Sequence, residues 1–480
     1  MKQILKPYSY LLMASILVML GCTVPKSTQS FKALALPGTY QGSKDTSRLV
    51  NMNWQTFFQD TALLDLVEEA LQNNFDLQKA LQRISMAKAQ MNIAANARLP
   101  MLEAVASAGF TKYGKYTIDG VGNFDTNLSP NISKEQRIPV ITPDLFLGLK
   151  STWELDVWGK LNDRKKAAFA KVLASEKERQ WLVTQLVAQV ADMYYELIAL
   201  DSEMEILQKN IYLQEDALSV VRIQKAGGRA NELAVQQFEA QLYNTKSFLA
   251  VIKQSIVKTE NQLNQLLGRL PQPVKRKGSV FNLKTGSAVK TGVPSDLLLN
   301  RPDIRAAELK LMAAGAELSA SRKSFLPSFN ITPYLGFHSF NAAQMITPGS
   351  IAYGLMGSMT GPVWNRGRLK GMLKEAEAQR AETWYEYQQT LLKAFQEVTT
   401  SMGAVINNEE VYELKKKQAL TLESAVVTAR ELYVTGYASY LEVITAQQGS
   451  LESQLQSVLT YKTLLQSQID LYRSLGGGWQ

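Results

Sequence analysis

The chain has 480 residues, of which 52 are Lys or Arg, 43 are Asp or Glu and one is His, giving a formal net charge of +9. Basic and acidic residues interleave along helical stretches, the pattern of solvated faces, so no nucleic-acid partner is expected. One cysteine excludes an intrachain disulfide, and the lone His338 sits in a strand-like stretch without metal-ligating neighbours.

In chain order, Lys2 and Lys6 precede the apolar run LLMASILVML (11–20), which ends at Gly21-Cys22. That run is shorter than the roughly 20 residues a membrane-spanning helix needs, so 1–21 reads as a signal peptide. Cys22 closes a stretch that resembles a lipoprotein box and would become the acylated first residue of the mature chain. Met19 stands where Leu is usual, and no Asp follows Cys22 to mark retention in the inner membrane. Cleavage leaves 50 basic against 43 acidic residues. No later run of 18 apolar residues occurs, so a membrane crossing must be made by β-strands.

Beyond a lipidated N-terminal segment, 22–59, the chain repeats itself. Residues 73–110 align with 300–337 at a constant offset of 227, pairing Asp76 with Asp303, Pro100 with Pro327 and Phe110 with Phe337. From Gly159 onward the offset is 208, pairing Gly159 with Gly367, Arg222 with Arg430, Gly228 with Gly436 and Gly268 with Gly476. Self-similarity of this kind marks two copies of one unit. Repeat 1 covers 60–268, a linker 269–293 and repeat 2 294–480. Each repeat reads as helix, strand pair, long helix, glycine turn and helix, with the strand pairs at about 102–158 and 329–364.

The helix from about 60 to 98 stops before Pro100. In 145–158 the residues Leu145, Leu147, Leu149, Trp153 and Leu155 share one face, while Phe146, Lys150 and Glu154 share the other. Period two with one apolar face predicts a half-buried strand, suited either to a soluble sheet or to lipid outside and water inside. Tyr113, Trp153, Trp158 and Trp364 lie near strand ends, where interfacial belts or ordinary packing would use them. From 159 to 225 no proline or internal glycine occurs, and 67 residues of helix extend for about 100 Å. Val183, Val190, Leu197, Met204, Ile211 and Leu218 recur every seven residues, and Leu186, Met193, Leu200 and Leu207 fill a second seam. In repeat 2 one seam persists from Leu391 to Val426, but the other becomes Ala394, Ser401, Asn408 and Lys415, which does not suit a dry core. Gly228 and Gly436 close the turns at the far tips of two helical hairpins.

Four strands cannot close a membrane barrel, which in single chains starts at about eight, and open edges are not tolerated in lipid. Copies of the chain must then share one barrel, and three would supply twelve strands. At this point the sequence resembles the TolC-like outer-membrane efflux factors, in particular the lipidated branch serving tripartite drug and metal pumps of the RND type. The most specific stretch is 293–331, VPSDLLLNRPDIRAAELKLMAAGAELSASRKSFLPSFNI, supported by WELDVWGKL (153–161), TGYASYLEVITAQ (435–447) and LYRSLGGGW (471–479).

The resemblance implies a mostly α fold with a membrane β-barrel portion: a homotrimer whose twelve-stranded barrel continues into an α-helical coiled-coil tunnel. The protein would be lipid-anchored at Cys22 in the outer membrane and reach into the periplasm. Its partners would be a periplasmic adaptor and an inner-membrane RND-type transporter. It also implies a periplasmic gate at Leu441, Glu442 and Thr445, with Leu233 the repeat-matched position in the first hairpin. The family's aspartate and arginine there fall on Thr445 and Gln448. Glu442 equally fits a helix-start acid stabilised by the helix dipole, and Leu441 ordinary hairpin packing. Three Glu442 carboxylates on one axis would raise one another's pKa and favour cations. Tyr433 matches a tyrosine of the family's closed-state network, whose partners fall on Ala234 and Ala438. Gly227, Gly228, Arg229, Thr435, Gly436 and Tyr437 fall on the adaptor-contact tips.

The terminal SLGGGW reads as flexible, and no phosphate loop or nucleophile–base arrangement stands out, so no enzyme, cofactor or metal is expected. The expected function is the exit duct for small molecules such as drugs or metal ions. A type I protein-secretion duct and a non-channel coiled-coil lipoprotein are the alternatives.

Overall fold

The computed structural model describes residues 31–32, 37–38, 53–276, 278–283 and 301–479. The signal peptide, Cys22 and residues 277 and 284–293 of the expected linker lie outside the described residues. Two compact units emerge. Of the described residues, one comprises 31, 86–172 and 310–384, the other 32, 37–38, 53–85, 173–276, 278–283, 301–309 and 385–479. The helices are α1 (Trp54–Phe57), α2 (Thr61–Asn73), α3 (Phe75–Asn96), α4 (Ile118–Leu128), α5 (Lys160–Ala226), α6 (Glu232–Leu266), α7 (Pro302–Lys323), α8 (Arg368–Thr435) and α9 (Tyr440–Ser474). The strands are β1 (Met101–Thr111), β2 (Thr142–Leu155), β3 (Ser328–Ser339) and β4 (Ile351–Thr360).

In the first unit the four strands form one antiparallel sheet in the order β1-β2-β3-β4. Its register places Ala104 opposite Leu149, Leu149 opposite Leu335 and Leu335 opposite Tyr353. Directly opposed residues share a face, so one face is apolar from edge to edge: Leu102 and Phe110 on β1, Leu147 and Leu149 on β2, Leu335 on β3, Leu355 on β4. All six are exposed, Phe110 and Leu355 by 80% and 76%. The opposite face carries Glu103 paired with Lys150, Glu154 paired with Asn330, and Ser328 paired with Thr360. Apolar outside and polar inside is the reverse of a soluble half-buried sheet and is the arrangement of a membrane barrel. The opposed pair Gly148 and Gly336 allows the backbones to approach and seats Phe146, since a Cβ on Gly148 would lie 2.4 Å from the Gly336 Cα and 3.0 Å from the Phe146 ring. Tyr334 and His338 stand edge-on to that ring, and the Lys150 ammonium lies 4.6 Å from its centre.

The sheet passes into α5 through the WELDVWGKL motif. The Asp156 carboxylate accepts the Leu161 and Asn162 amides at 2.8 and 2.7 Å, satisfying orphan donors of the first turn. Gly159 and its repeat mate Gly367 both adopt positive φ, 72° and 80°, so the copies match in backbone conformation as well as in sequence.

In the second unit the main core gathers around Val190, Tyr194, Leu197 and Ile198 of α5. Phe57 stacks on Tyr472 at 4.2 Å and 8°, and the Tyr194 hydroxyl donates to Asp60 at 2.8 Å. Asp60 also caps α2 through the Ala62 amide. The heptad reading holds for α5: Val183, Leu186, Val190, Leu197, Leu200, Leu207 and Leu218 are buried. It also holds where α8 was expected to turn polar. Asn408 donates to Ser467 and Lys415 to Gln456, both at 2.6 Å, so this seam is hydrogen-bonded and not dry. Ala394 and Ser401 of this seam are buried, Ala394 fully, beside Leu391 and Val398.

The NRPDIR stretch explains itself here. Arg301, 1% exposed, donates to Asp303 at 3.0 and 2.6 Å, to Glu397 on α8 at 2.7 Å and to the Ser474 carbonyl at 3.0 Å, and it packs on Trp181. One guanidinium thus fastens α5, α7, α8 and the end of α9. The expectation of a flexible terminus is corrected. Gly477 lies against the Tyr472 ring and its amide donates to the Tyr472 carbonyl at 3.1 Å, while the Lys177 ammonium sits 5.4 Å over Trp479. Gly477 serves close approach, while Gly476 and Gly478 adopt positive φ, 88° and 101°.

Arg301→Ala leaves Glu397 and Asp303 without their buried counter-charge and is expected to destabilise the helical unit by about 3–5 kcal/mol, read as a lowered thermal midpoint, with Arg301→Lys intermediate. A second outcome concerns Asp192 on α5, whose Oδ1 is buried without a hydrogen-bond partner. Burial, and then the charge of Asp470, push its pKa up to about 7, against the pull of Arg473. The folded state therefore binds this proton more tightly than the unfolded chain. Stability from this group falls as pH rises from about 3.9 to about 7, with the full penalty present above that range. Asp192→Asn should flatten that decline in melting curves taken across the interval.

Candidate functional site: the hairpin tips

Both tips are built alike. After α5, Gly228 adopts φ 72°, its amide donates to the Lys225 carbonyl at 3.0 Å, and the Arg229 amide donates to the Gln224 carbonyl at 2.8 Å. After α8, Gly436 adopts φ 81°, with Gly436 to Tyr433 at 3.2 Å and Tyr437 to Leu432 at 2.8 Å. This is the Schellman closure, which needs a left-handed residue and takes glycine at least cost. The returning helices start on caps. Asn231 accepts the Ala234 amide at 2.9 Å, and Ser439 opens a capping box with Glu442.

Gly227, Gly228, Arg229, Thr435, Gly436 and Tyr437 are all exposed. Leu233, Leu441, Glu442 and Thr445 are exposed as well, Leu233 by 52% and Leu441 by 55%. Behind them the tips share one core, in which Val443 and Ile444 of α9 join Val235 and Phe238 of α6 and Leu218 and Val221 of α5. The structure thus brings the buried sides of the two hairpins together and leaves the candidate gate residues outside that core. Packing within the chain does not account for Leu441.

Glu442 has a local role. Its carboxylate accepts the Ser439 amide at 2.9 Å and a close hydrogen bond from the Ser439 hydroxyl. Within the chain, chiefly that hydroxyl bond holds its pKa below the usual glutamate range. The helix-start reading of this acid is therefore realised within the chain.

Polar ties join the hairpins near the tips. The Tyr433 hydroxyl donates to the Gln224 side chain in a close hydrogen bond, a partner not foreseen from the alanines at 234 and 438. The Arg430 guanidinium lies 3.6 Å from Asp216, and Gln448 donates to Gln241 at 2.6 Å. Arg222, the repeat mate of Arg430, instead pairs with Glu239 inside its own hairpin. Equivalent positions thus serve one tie within a hairpin and one between hairpins, a distinction invisible to alignment of the two copies. Elsewhere, His338 lies 2.7 Å from Asp144 on the polar face of the sheet. Among the described residues no group of three or more His, Cys, Asp or Glu could hold a metal ion.

An antiparallel sheet apolar on its exposed face, joined in one chain to a duplicated long helical hairpin, defines a class of outer-membrane proteins that combine barrel strands with a helical portion. The chain belongs to the outer membrane efflux protein family, whose profile matches residues 66–269 and 293–477, one segment in each repeat. It is an outer-membrane efflux protein and not an enzyme. It is 28% identical over 477 residues to the cation efflux system protein CusC of Escherichia coli O6:H1, covering 97% of each chain. It is also 28% identical to the probable outer membrane lipoprotein SilC of Salmonella typhimurium, over 97% of this chain and 98% of SilC. Its fold matches the open state of the MtrE outer membrane channel of Neisseria gonorrhoeae with a TM-score of 0.81 at 25% identity, over 95% of this chain and 98% of that one.

Ser439→Ala removes the cap of α9 and should lower protection of the amides at 440–444 from hydrogen exchange by about 1 kcal/mol. Because the Glu442 pKa is depressed, its part of the cap is present at neutral pH and lost as pH falls through that depressed value. Protection factors at these amides, taken relative to the intrinsic exchange rate at each pH, should fall in acid accordingly.

Proposed function

We propose that the protein is the outer-membrane exit channel of a tripartite efflux pump, a homotrimer anchored in the outer membrane by acylated Cys22. The observation that carries this reading is the sheet. Four strands present an apolar outer face and leave β1 and β4 as unpaired edges, and lipid tolerates neither an open edge nor an unbonded peptide. Three copies closing edge to edge make a twelve-stranded barrel, which satisfies every edge with one repeated contact. The helical hairpins then extend the duct toward the inner membrane, where a periplasmic adaptor meets Gly227, Gly228, Arg229, Thr435, Gly436 and Tyr437 and docks an RND-type transporter. The substrate class is small molecules, metal cations among them, in keeping with the cation efflux protein CusC.

In this reading the gate lies at the tips. Leu441 and Leu233 are among the apolar side chains left exposed beside the shared tip core, with Ile223 and Val434, and Thr445 continues the α9 face of Leu441 one turn on. Three such faces around an axis would narrow it.

The test is conductance in planar bilayers of the purified full chain. A heat-sensitive trimer should conduct, and Leu441→Ala with Glu442→Gln should raise single-channel conductance about twofold or more, as expected when an apolar constriction and its ring charges are removed. Glutamine keeps the capping box, so a change cannot be assigned to an unravelled helix start. A trimer that never conducts, with or without these substitutions, would overturn the channel; unchanged conductance in the double variant would remove the gate alone.

A further inference from the structure

The connection between β1 and β2, residues 112–141, holds α4 (Ile118–Leu128). Thr117 caps it through the Gly120 amide at 3.1 Å. Its hydrophobic residues fall at 118, 121, 124 and 128, one stripe of an α-helix. In a water-soluble protein that stripe would be turned inward. Here it faces out: Ile118, Val121, Phe124 and Leu128 are 92%, 56%, 68% and 68% exposed. The other side is the one tied to its own loop. Asn127 donates to the Ile138 carbonyl at 2.9 Å and accepts the Ile138 amide at 2.8 Å, and Gly120 sits so close to the Gly114 carbonyl that a Cβ there would come within 2.0 Å of its oxygen. The polar side is thus locked to the chain, and the apolar side cannot turn inward without breaking those contacts.

We propose that α4 lies in the headgroup–acyl boundary of the outer leaflet, its apolar stripe against lipid. The stripe continues an apolar surface already directed at the membrane, since Phe110 ends β1 on the lipid-facing side of the sheet and is 80% exposed. Tyr113 and Tyr116 follow between strand and helix, the residue type that collects at such boundaries. Lys112 and Lys115 precede the helix, and Lys134 and Arg137 follow it, placing cations on either side for anionic headgroups. Asp125 falls within the stripe, between Val121 and Ile118 on the helix surface, and is exposed; a boundary helix keeps such a carboxylate at headgroup level. The helix thereby acts as a float that fixes how deep the sheet sits. The inference rests on the membrane placement of the sheet.

Cys22 is the sole native cysteine, so the full-length trimer can carry single reporter thiols. Val121→Cys, Phe124→Cys, Asp119→Cys and, on the sheet, Leu355→Cys would be labelled with an environment-sensitive fluorophore in proteoliposomes of phosphatidylethanolamine and phosphatidylglycerol, with the unsubstituted chain as labelling control. Doxyl-labelled lipid should quench the label at 121 and 124 at least about threefold more than at 119, as a boundary helix requires, and aqueous iodide should show the reverse order. Iodide quenching at 121 and 124 equal to that at 119 would place the stripe in water and overturn the proposal. Shielding from both quenchers, with disulfide cross-links between protomers, would assign the stripe to a second copy and overturn it too. If Leu355→Cys also escapes the doxyl lipid, the placement of the sheet fails together with the proposal; quenching retained at 355 alone isolates the failure to α4.

Discussion

A peptide group in hydrocarbon can bond only to another peptide group. The chain meets that constraint incompletely: its sheet ends in two edges, and its outward face is apolar from Leu102 on β1 to Leu355 on β4. In the proposed assembly this sheet is completed by copies of itself. A symmetric closure repeats one β4-to-β1 contact at each seam, and the covalent passage from β2 through Asp156 and Gly159 into α5 then commits the helices to the same symmetry. Asp156 caps the first turn of α5, so the connection between strand and helix is held to the four residues 156–159.

Duplication supplies two hairpins from one design, but the copies have diverged in what lies between the helices. The first hairpin's seam is aliphatic, with Val190, Leu197 and Leu207 buried outright. The second is joined in part through Asn408, Ser467, Lys415 and Gln456. A buried hydrogen bond contributes about 0.5–1.5 kcal/mol net, whereas a buried leucine contributes about 1.5–3 kcal/mol and excludes water. The two arms therefore share an outline and differ in cohesion. Arg301 compensates at the root of the second arm, where one guanidinium holds α7, α8 and the end of α9.

The fold was legible in the sequence to the extent that it obeys periodicity. The strand β2, the 67-residue α5 and the tip glycines rest on alternation, heptads and left-handed turns, all local signals. The polar seam of α8 was legible because Asn408 and Lys415 occupy heptad positions where an apolar residue belongs. What escaped depends on partners far apart in the chain. Tyr433 was recognised, but its partner Gln224 is 209 residues away and on the other repeat. The Arg301 knot joins residues 96 and 173 apart. The terminal glycines look like a loose tail until Tyr472 is seen pressed against Gly477. Helix α4 was passed over because its stripe is short and lies in the long loop that the second repeat lacks. For the tips, the sequence pointed to both readings of Glu442, and the Ser439 capping box shows the local one at work within the chain.

The uneven cohesion of the arms has a mechanical consequence. A sideways load applied at the paired tips is shared through the Tyr433–Gln224 and Gln448–Gln241 bridges, but the two arms do not yield equally. The aliphatic arm behaves as a strut, since sliding its helices would open voids. The other arm can exchange partners around Asn408–Ser467 and Lys415–Gln456 without opening a void, so bending is expected to concentrate there, like the hinged leaf of a door hung on a rigid post.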